Sequence, residues 1–313
     1  MPFDFSLVTS PFRMQPGLRR VEPGAAQLTP SLPGGRHLRE KTAVLARFPQ
    51  EALVAAAGFD AAPVLDAIAL EAARAEPVAF AVDTAAGLDA HAPLLGWSIR
   101  DGTPVGAGDP TIGALIADLP RAQRATALLC LAFEEDFAVL DGDTATVPWL
   151  AVCLPSRWAP ADKVGRHFAE IHAPVADSAM LTAASASLAR LVTGNERWER
   201  FVWTISADPH LNQHPMQGAR PWPTDSDADA LAARASFRSE HQTFIPMAGS
   251  RRAIFTIHVE SLALAAAVAD GDAARRLHDA VASMSPAVLA YRGLSEVRER
   301  LLAWLASRSQ APA

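Results

Sequence analysis

The chain of 313 residues has two cysteines, one tyrosine and no apolar stretch of membrane-spanning length, and each shortage closes a class of protein. Cys130 and Cys153 are too few for a disulfide framework or a cysteine-rich zinc site. Each lies in an apolar run (ALLCLAF and WLAVCLP), where a reduced thiol behaves as a small hydrophobe. No segment reaches the ~18 charge-free apolar residues of a membrane span. The N-terminal MPFDFSLVTSPFRMQPGLRR carries an early acid and no uninterrupted apolar core, so no signal peptide is expected. The formal charge is −6 and no long basic run or basic–aromatic patch occurs, which argues against nucleic acid as a partner. Gly102, Gly106 and Gly108 are irregularly spaced and lead into neither Lys-Ser/Thr nor a Rossmann pattern, so a nicotinamide or phosphate loop of the chain's own is not expected. The expectation is a soluble, cytoplasmic protein with no membrane or nucleic-acid partner.

What is present is enough apolar material, 50% of residues, to bury a large core without staples. The first forty residues are punctuated by Pro11, Pro16, Gly17, Pro23, Pro30, Pro33, Gly34 and Gly35, which predicts an extended surface arm. Helices are predicted for Arg36–Ala46, for Gln50–Ala75 with a break at Gly58, for Thr111–Leu119 and for Ala122–Glu135. Between them, Gly87 to Asp109 is read as a Gly- and Pro-rich connection. The pattern changes at Asp136: β-branched and aromatic runs predict strands at Phe137–Leu140, Thr146–Leu154, Arg200–Ser206, Phe237–Pro246 and Arg252–Glu260, the first two joined across the turn-forming Asp141-Gly142-Asp143. Two helical pieces, Pro160–Phe168 and Ser178–Thr193, fall between the second and third strands, and the chain is helical after Ser261. The fold class is therefore α+β, a PAS-like antiparallel sheet with helical N- and C-terminal extensions. The expected division is an arm and helical lead-in (1–110), the PAS-like core (111–260) and C-terminal helices (261–313).

The run VCLPSRWAPADKVGRHFAEIHAPV, Val152 to Val175, places a Pro-Ser-x-Trp turn before Lys-x-Gly and then Ile-His-x-Pro-Val. It resembles the signature of the haem-dependent oxidative N-demethylase family, α-type subunit. GLRRVEP, LREKTAVLARFPQEAL, EEDFAVL, VWTISADPHL, FRSEHQTFIPM and AIFTIHV follow in the family's order, so the resemblance extends over nearly the whole chain. The chain departs from the family at Ala176-Asp177, usually Pro-Gly, at His241, usually Arg, and at His258-Val259-Glu260.

The resemblance implies a haem b pocket in residues 111–260. A lone histidine between Ile171 and Ala173 is more often a packed or surface residue; the motif makes His172 the axial iron ligand. Trp158 and Trp203 are large enough to wall a porphyrin, and Arg157, Lys163 and Arg166 are the cations for its propionates, against the plainer readings of core tryptophans and a solvated turn. Strand alternation puts Arg238, Glu240 and Gln242 on one face of FRSEHQTFIP, where Glu240 would hold a protonated amine and Arg238 and Gln242 would donate hydrogen bonds; a solvated strand face is the alternative. Asp208-Pro209 reads as a strand-ending turn and cap. His210 and His214 have metal-ligand spacing but lie between Pro209 and Pro215 with no third ligand nearby, which argues against a zinc site. Cys153 lacks the positive surroundings of a thiolate ligand.

By the same resemblance the reaction is oxidation of a small methylamine by O2, releasing formaldehyde and the demethylated amine. NADPH, FMN and iron–sulfur groups then enter only through a separate reductase subunit, and homo-oligomerisation is left open. A haem-PAS protein that binds or senses gases without demethylation is the competing class, since fold does not fix function.

Overall fold

The computed structural model describes residues 3–75, 79–177, 179–224 and 227–310. Alternating apolar and β-branched residues can bury a side chain on either face of a strand, and the runs that do so after Asp136 form the long strands here. In chain order the strands are β1 (Arg19–Arg20), β2 (Leu53–Ala55), β3 (Ala81–Asp83), β4 (Leu88–Ala92), β5 (Trp97–Arg100), β6 (Thr103–Gly106), β7 (Asp136–Asp141), β8 (Thr146–Ala151), β9 (Trp198–Ser206), β10 (Ser236–Met247) and β11 (Arg252–Ala263). A seven-stranded sheet runs in the order β1-β9-β10-β11-β7-β8-β2, and β3 to β6 form a separate meander. Neighbouring strands are antiparallel throughout, so the class is α+β.

The meander corrects the reading of 87–109 as a connection. Two of its glycines allow a close backbone approach: a Cβ on Gly106 would come within 2.1 Å of the Gly96 carbonyl oxygen and one on Gly108 within 1.8 Å of the Leu95 carbonyl oxygen, with Trp97 next in both cases. The helix expected over Gln50–Ala75 is likewise divided. A single turn, Pro49–Ala52, leads straight into β2, which pairs with β8, and a longer helix then occupies Ala62–Ala75. Edge pairing beyond β8 overrides the local helix preference of this alanine-rich stretch.

The principal helices are α1 (Arg36–Arg47), α2 (Ala62–Ala75), α3 (Pro110–Asp118), α4 (Arg124–Ala132), α5 (Phe168–His172), α6 (Ser185–Val192), α7 (Ala228–Arg234), α8 (Gly271–Ala282), α9 (Pro286–Arg292) and α10 (Arg298–Ser309). Pro160–Phe168 was expected as helix but holds only the 3-10 turn Pro160–Asp162, because Gly165 takes a φ of +73° and reverses the chain before α5. Ser178, the predicted start of the next helix, lies outside the described residues; beyond it, short helices occupy Ala179–Ala183 and α6. Among the described residues no helix is long and apolar enough to cross a membrane.

The large sheet separates two environments. Its back face presents Phe137, Val139, Trp149, Ala151, Ile245 and Ile254 to the core formed with α1 to α4. Phe237, Ile205 and Trp203 carry that face on to the C-terminal helices and Val8. On the front, α6 covers Leu140, Phe244 and Ala253, and Trp158 and Val164 pack near Ala138, Leu150 and Val152. The stretch of the front face formed by β9 and β10 between these coverings is polar.

The start of β7 is fixed from behind by α1. Lys41, fully buried, lies 3.1 Å from Asp136 and donates to the carbonyls of Phe133 at 3.0 Å and Glu135 at 2.5 Å. Burial works against its charged form, and Asp136 overcomes that, leaving the ammonium pKa above its ordinary value. Removing one partner of a buried pair strands the other charge. Lys41→Met is therefore expected to destabilise the fold by about 3–5 kcal/mol, read from denaturant unfolding. A loss under 1 kcal/mol would show that Asp136 finds another partner or takes up a proton.

Candidate functional site

The polar part of the front face is set by register. Pairing of Arg238 with Thr204, Glu240 with Val202 and Gln242 with Arg200 places these six side chains on one side of β9 and β10. Glu240 is held at both oxygens: Ser156 Oγ donates to Oε1, and Gln242 Nε2 donates to Oε2 at 2.6 Å. Ser156 itself accepts from Arg238 Nε at 2.8 Å. The remaining Arg238 donors go to the carbonyls of His210, Leu154 and Leu211 at 3.1, 3.2 and 2.9 Å. Arg238, only 1% exposed, is thus a pin that fixes Ser156 and the Ala207–Gln213 loop through four hydrogen bonds. Arg238 therefore meets Glu240 through Ser156.

Arg200 was not singled out from the sequence. Its Nε is buried with no hydrogen-bond partner, and burial lowers its pKa while Glu240 offsets part of that loss. A desolvated guanidinium with an idle N–H is costly unless an acceptor comes to it. Tyr291 and Arg292, from α9, also feel the charge of Glu240; burial lowers the Arg292 pKa to about 10.

His172 ends α5. Its Nδ1 faces the Phe168 carbonyl at 2.8 Å, one helical turn back, and must be the protonated nitrogen to bond there. The lone pair is therefore on Nε2. Burial lowers the ring's pKa from 6.5 in spite of the Phe168 bond, and Arg200 and Lys163 push the same way. His172 is thus a neutral imidazole with its tautomer set by an outer partner, and its charge environment includes Arg200 of the polar sheet face. His167 caps α5, accepting from Ala169 N–H through Nδ1 while Glu170 reaches back to His167 N–H.

The other predicted residues divide. Trp158 packs on the front face beside Ala138, Leu150 and Val152. Arg157 holds a φ of +63°, a left-handed conformation that its N–H bond to Gln213 O supports, and its guanidinium donates to Ser206 Oγ at 3.2 Å and Arg292 O at 3.3 Å. Lys163 donates to Ile171 O at 3.3 Å, tying the end of the 3-10 turn Pro160–Asp162 to the helix that carries His172. Arg166 is exposed. Trp203 is not brought to this face: the parity of β9 turns it to the back, where it stacks with Phe237 at 6.1 Å and meets Phe12 edge-on. His241 also points back, stacked on Phe201 at 4.4 Å and 2.7 Å from Glu199, as alternation requires. His210 and His214 lie on no helix; His210 pairs with Asp208 at 2.7 Å and His214 caps the turn Pro215–Gln217. Asp208 accepts from His210 N–H and makes a turn rather than a helix cap. Cys153 is buried with its thiol pKa raised by Cys130 and by burial, which keeps it protonated.

A family profile described as haem-dependent oxidative N-demethylase, alpha subunit-like, matches residues 112–302, more than half of the chain. The protein belongs to this family. The match includes β7 to β11, α5 and the C-terminal helices, and so takes in the whole polar front face. Haem is the cofactor that the family's description names, and the front of the sheet offers a histidine with a directed Nε2 and a buried guanidinium with an idle donor.

Ser156 and Arg200 were the functional residues that the sequence did not yield. Ser156 lay inside the quoted signature, and a hydroxyl next to a sharp turn was the available signal. Arg200 became visible only with the β9–β10 register.

The His172 assignment has a pH consequence. A folded-state pKa below 6.5 means that the unfolded chain takes up a proton that the buried ring resists, so stability falls as pH drops through 6.5 towards the folded value. The haem-free His172→Gln variant should show a shallower decline over that window in urea unfolding, and the imidazole resonances of the parent should titrate below 6.5. A titration midpoint at or above 6.5 would place the ring in water.

Proposed function

We propose that this chain binds haem b against the front of the sheet through His172 and oxidatively demethylates a small methylamine held by Glu240. The observation that carries the reading is that a neutral, tautomer-fixed His172 and a two-point-anchored Glu240 share the surroundings of one buried cation, Arg200. The order of the five long strands, with the helical segment inserted between β8 and β9, supports a PAS-like description of the core. With Cys130 and Cys153 both buried and far from a Cys-x-x-Cys-His pattern, attachment is non-covalent, as in haem b.

Bound haem would supply O2-dependent oxidation of the N-methyl carbon, from which formaldehyde and the demethylated amine leave. Glu240 supplies the counter-charge that a protonated amine needs once it leaves water. Ser156 and Gln242 fix the carboxylate so that its remaining lone pairs take one direction, and Arg238 holds Ser156. Trp158 narrows the front face and excludes water. Arg200, Arg157 and Lys163 offer donors to propionate oxygens. Electrons have to arrive from outside, since two buried cysteines cannot ligate an iron–sulfur cluster. A separate NADPH-dependent reductase subunit carrying FMN and iron–sulfur centres fits that need.

Absorption spectra of the haem-loaded protein, oxidised and reduced, with and without methylamines, test the reading. His172→Ala should lower haem occupancy or shift the Soret band, while His210→Ala and His214→Ala should leave it unchanged. Glu240→Gln should keep haem and O2 binding but lose both the amine-induced shift and amine-dependent formaldehyde release. Gas binding with no response to any methylamine in the parent protein would favour a sensor.

A further inference from the structure

On the back of the sheet, behind Glu240, lies a second cluster that the demethylase reading does not use. Glu240 is in register with Val259, and the residues flanking Val259, His258 and Glu260, point to the opposite side. There they meet His37 from α1 and Glu134 from the segment that enters β7. One donor atom from each of the four lies within 4.8 Å of all the others. Three of the separations are tighter: His258 Nε2 to Glu134 Oε2 is 3.0 Å, His37 Nδ1 to the same oxygen is 3.4 Å, and His258 Nε2 to Glu260 Oε1 is 3.8 Å.

We infer that His37, Glu134, His258 and Glu260 form a binding site for a divalent transition-metal ion of the zinc class. Metal–ligand bonds of about 2.0–2.2 Å in a tetrahedron require donor atoms roughly 3.4 Å apart, which the three short separations approach. Two imidazoles and two carboxylates are a donor set that suits zinc and its first-row neighbours better than calcium or magnesium, which want oxygen alone. The net charge of the four groups with neutral rings is −2, which a dication cancels.

An independent observation is the orientation of His37. Its Nε2 lies 2.7 Å from the Val259 carbonyl, deep in the core, and must carry the proton to bond there. The lone pair is thereby left on Nδ1, the atom that faces the cluster, the arrangement that outer partners impose on metal-binding histidines. The nearest ammonium, Lys41, is already paired with Asp136 and does not take the place of the cation. The two rings stack at 5.2 Å with both aimed at one carboxylate oxygen, a convergence that an ion between them would account for. Such an ion would join α1, the entry to β7 and β11, which are remote in sequence.

This inference is independent of the haem reading, and its test is metal content and affinity for zinc alone. The metal-stripped full-length protein should take up one zinc per chain by elemental analysis, counted separately from iron. Cobalt in its place should give visible ligand-field bands, and zinc should raise the melting temperature. Glu260→Gln, at a half-exposed position, should fold normally yet weaken zinc binding by more than the about tenfold that loss of an outer partner costs. His258→Ala should remove the cobalt bands while haem uptake persists. If the parent takes up no stoichiometric zinc, or if both variants bind it as the parent does, the four residues are an ion-pair network and the inference fails.

Discussion

The arrangement on both faces of the sheet depends on one buried ion pair. Asp136 opens β7, and its Oδ1 faces Lys41 of α1, while its Oδ2 accepts the N–H of Leu154 at 2.6 Å. That second bond fixes the end of the segment following β8, next to the turn that begins at Pro155. From Leu154 the chain of contacts continues outward: its carbonyl accepts Arg238, Arg238 donates to Ser156, and Ser156 donates to Glu240. A helix packed on the back is thus linked by hydrogen bonds to a carboxylate on the front. A buried pair is a weak source of net stability, because desolvation offsets most of the attraction. Its worth here is positional, since either charge left alone would be expensive and the geometry has few alternatives.

The same reasoning explains why the front face carries so much buried positive charge. Arg238 and Arg292 are desolvated and both are engaged by backbone carbonyls, to which a guanidinium gives several donors in a fixed fork. The Nε of Arg200, like that of Arg292, is idle. A protein interior tolerates such a group where a ligand completes it or a carboxylate faces it, and Glu240 meets only the second condition.

Much of the fold was legible because the governing signals are local. The alternation in RFVWTIS, FRSEHQTFIP and RAIFTIHVE marks strands whatever their neighbours, and α1 follows from helix-forming residues stopped by Phe48-Pro49. The meander over β3 to β6 was not legible. Gly87, Gly96 and Gly102 do make its turns, but Gly106 and Gly108 admit the carbonyls of Gly96 and Leu95, a close approach that only the folded chain shows. In the site, Glu240 and Gln242 were readable as one face from their spacing, and His241 as pointing away. The face that Trp203 takes was not legible because it depends on where β9 begins its alternation relative to β10, a register that sequence spacing does not contain. Arg200 escaped for the same reason.

Strand parity also decides how the departures from the family pattern are to be understood. His241 and His258 are cross-strand partners, both on the back face, and Glu260 shares that face. None of the three can reach Glu240, whose neighbour on β11 is Val259. The departures at His241, His258 and Glu260 therefore alter the back, where His241 pairs with Glu199 and His258 with Glu134, while Val259 alone of this group lies on the front, beside Glu240. A residue change on a strand moves chemistry on one side of a sheet without entering the other, because successive side chains are held apart by the backbone itself. Differences at these positions thus bear on how the sheet is clasped to α1 and β9, whereas under the proposed function substrate choice would rest with the side chains around Glu240, from Val202 and Thr204 on β9 to Tyr291 of α9.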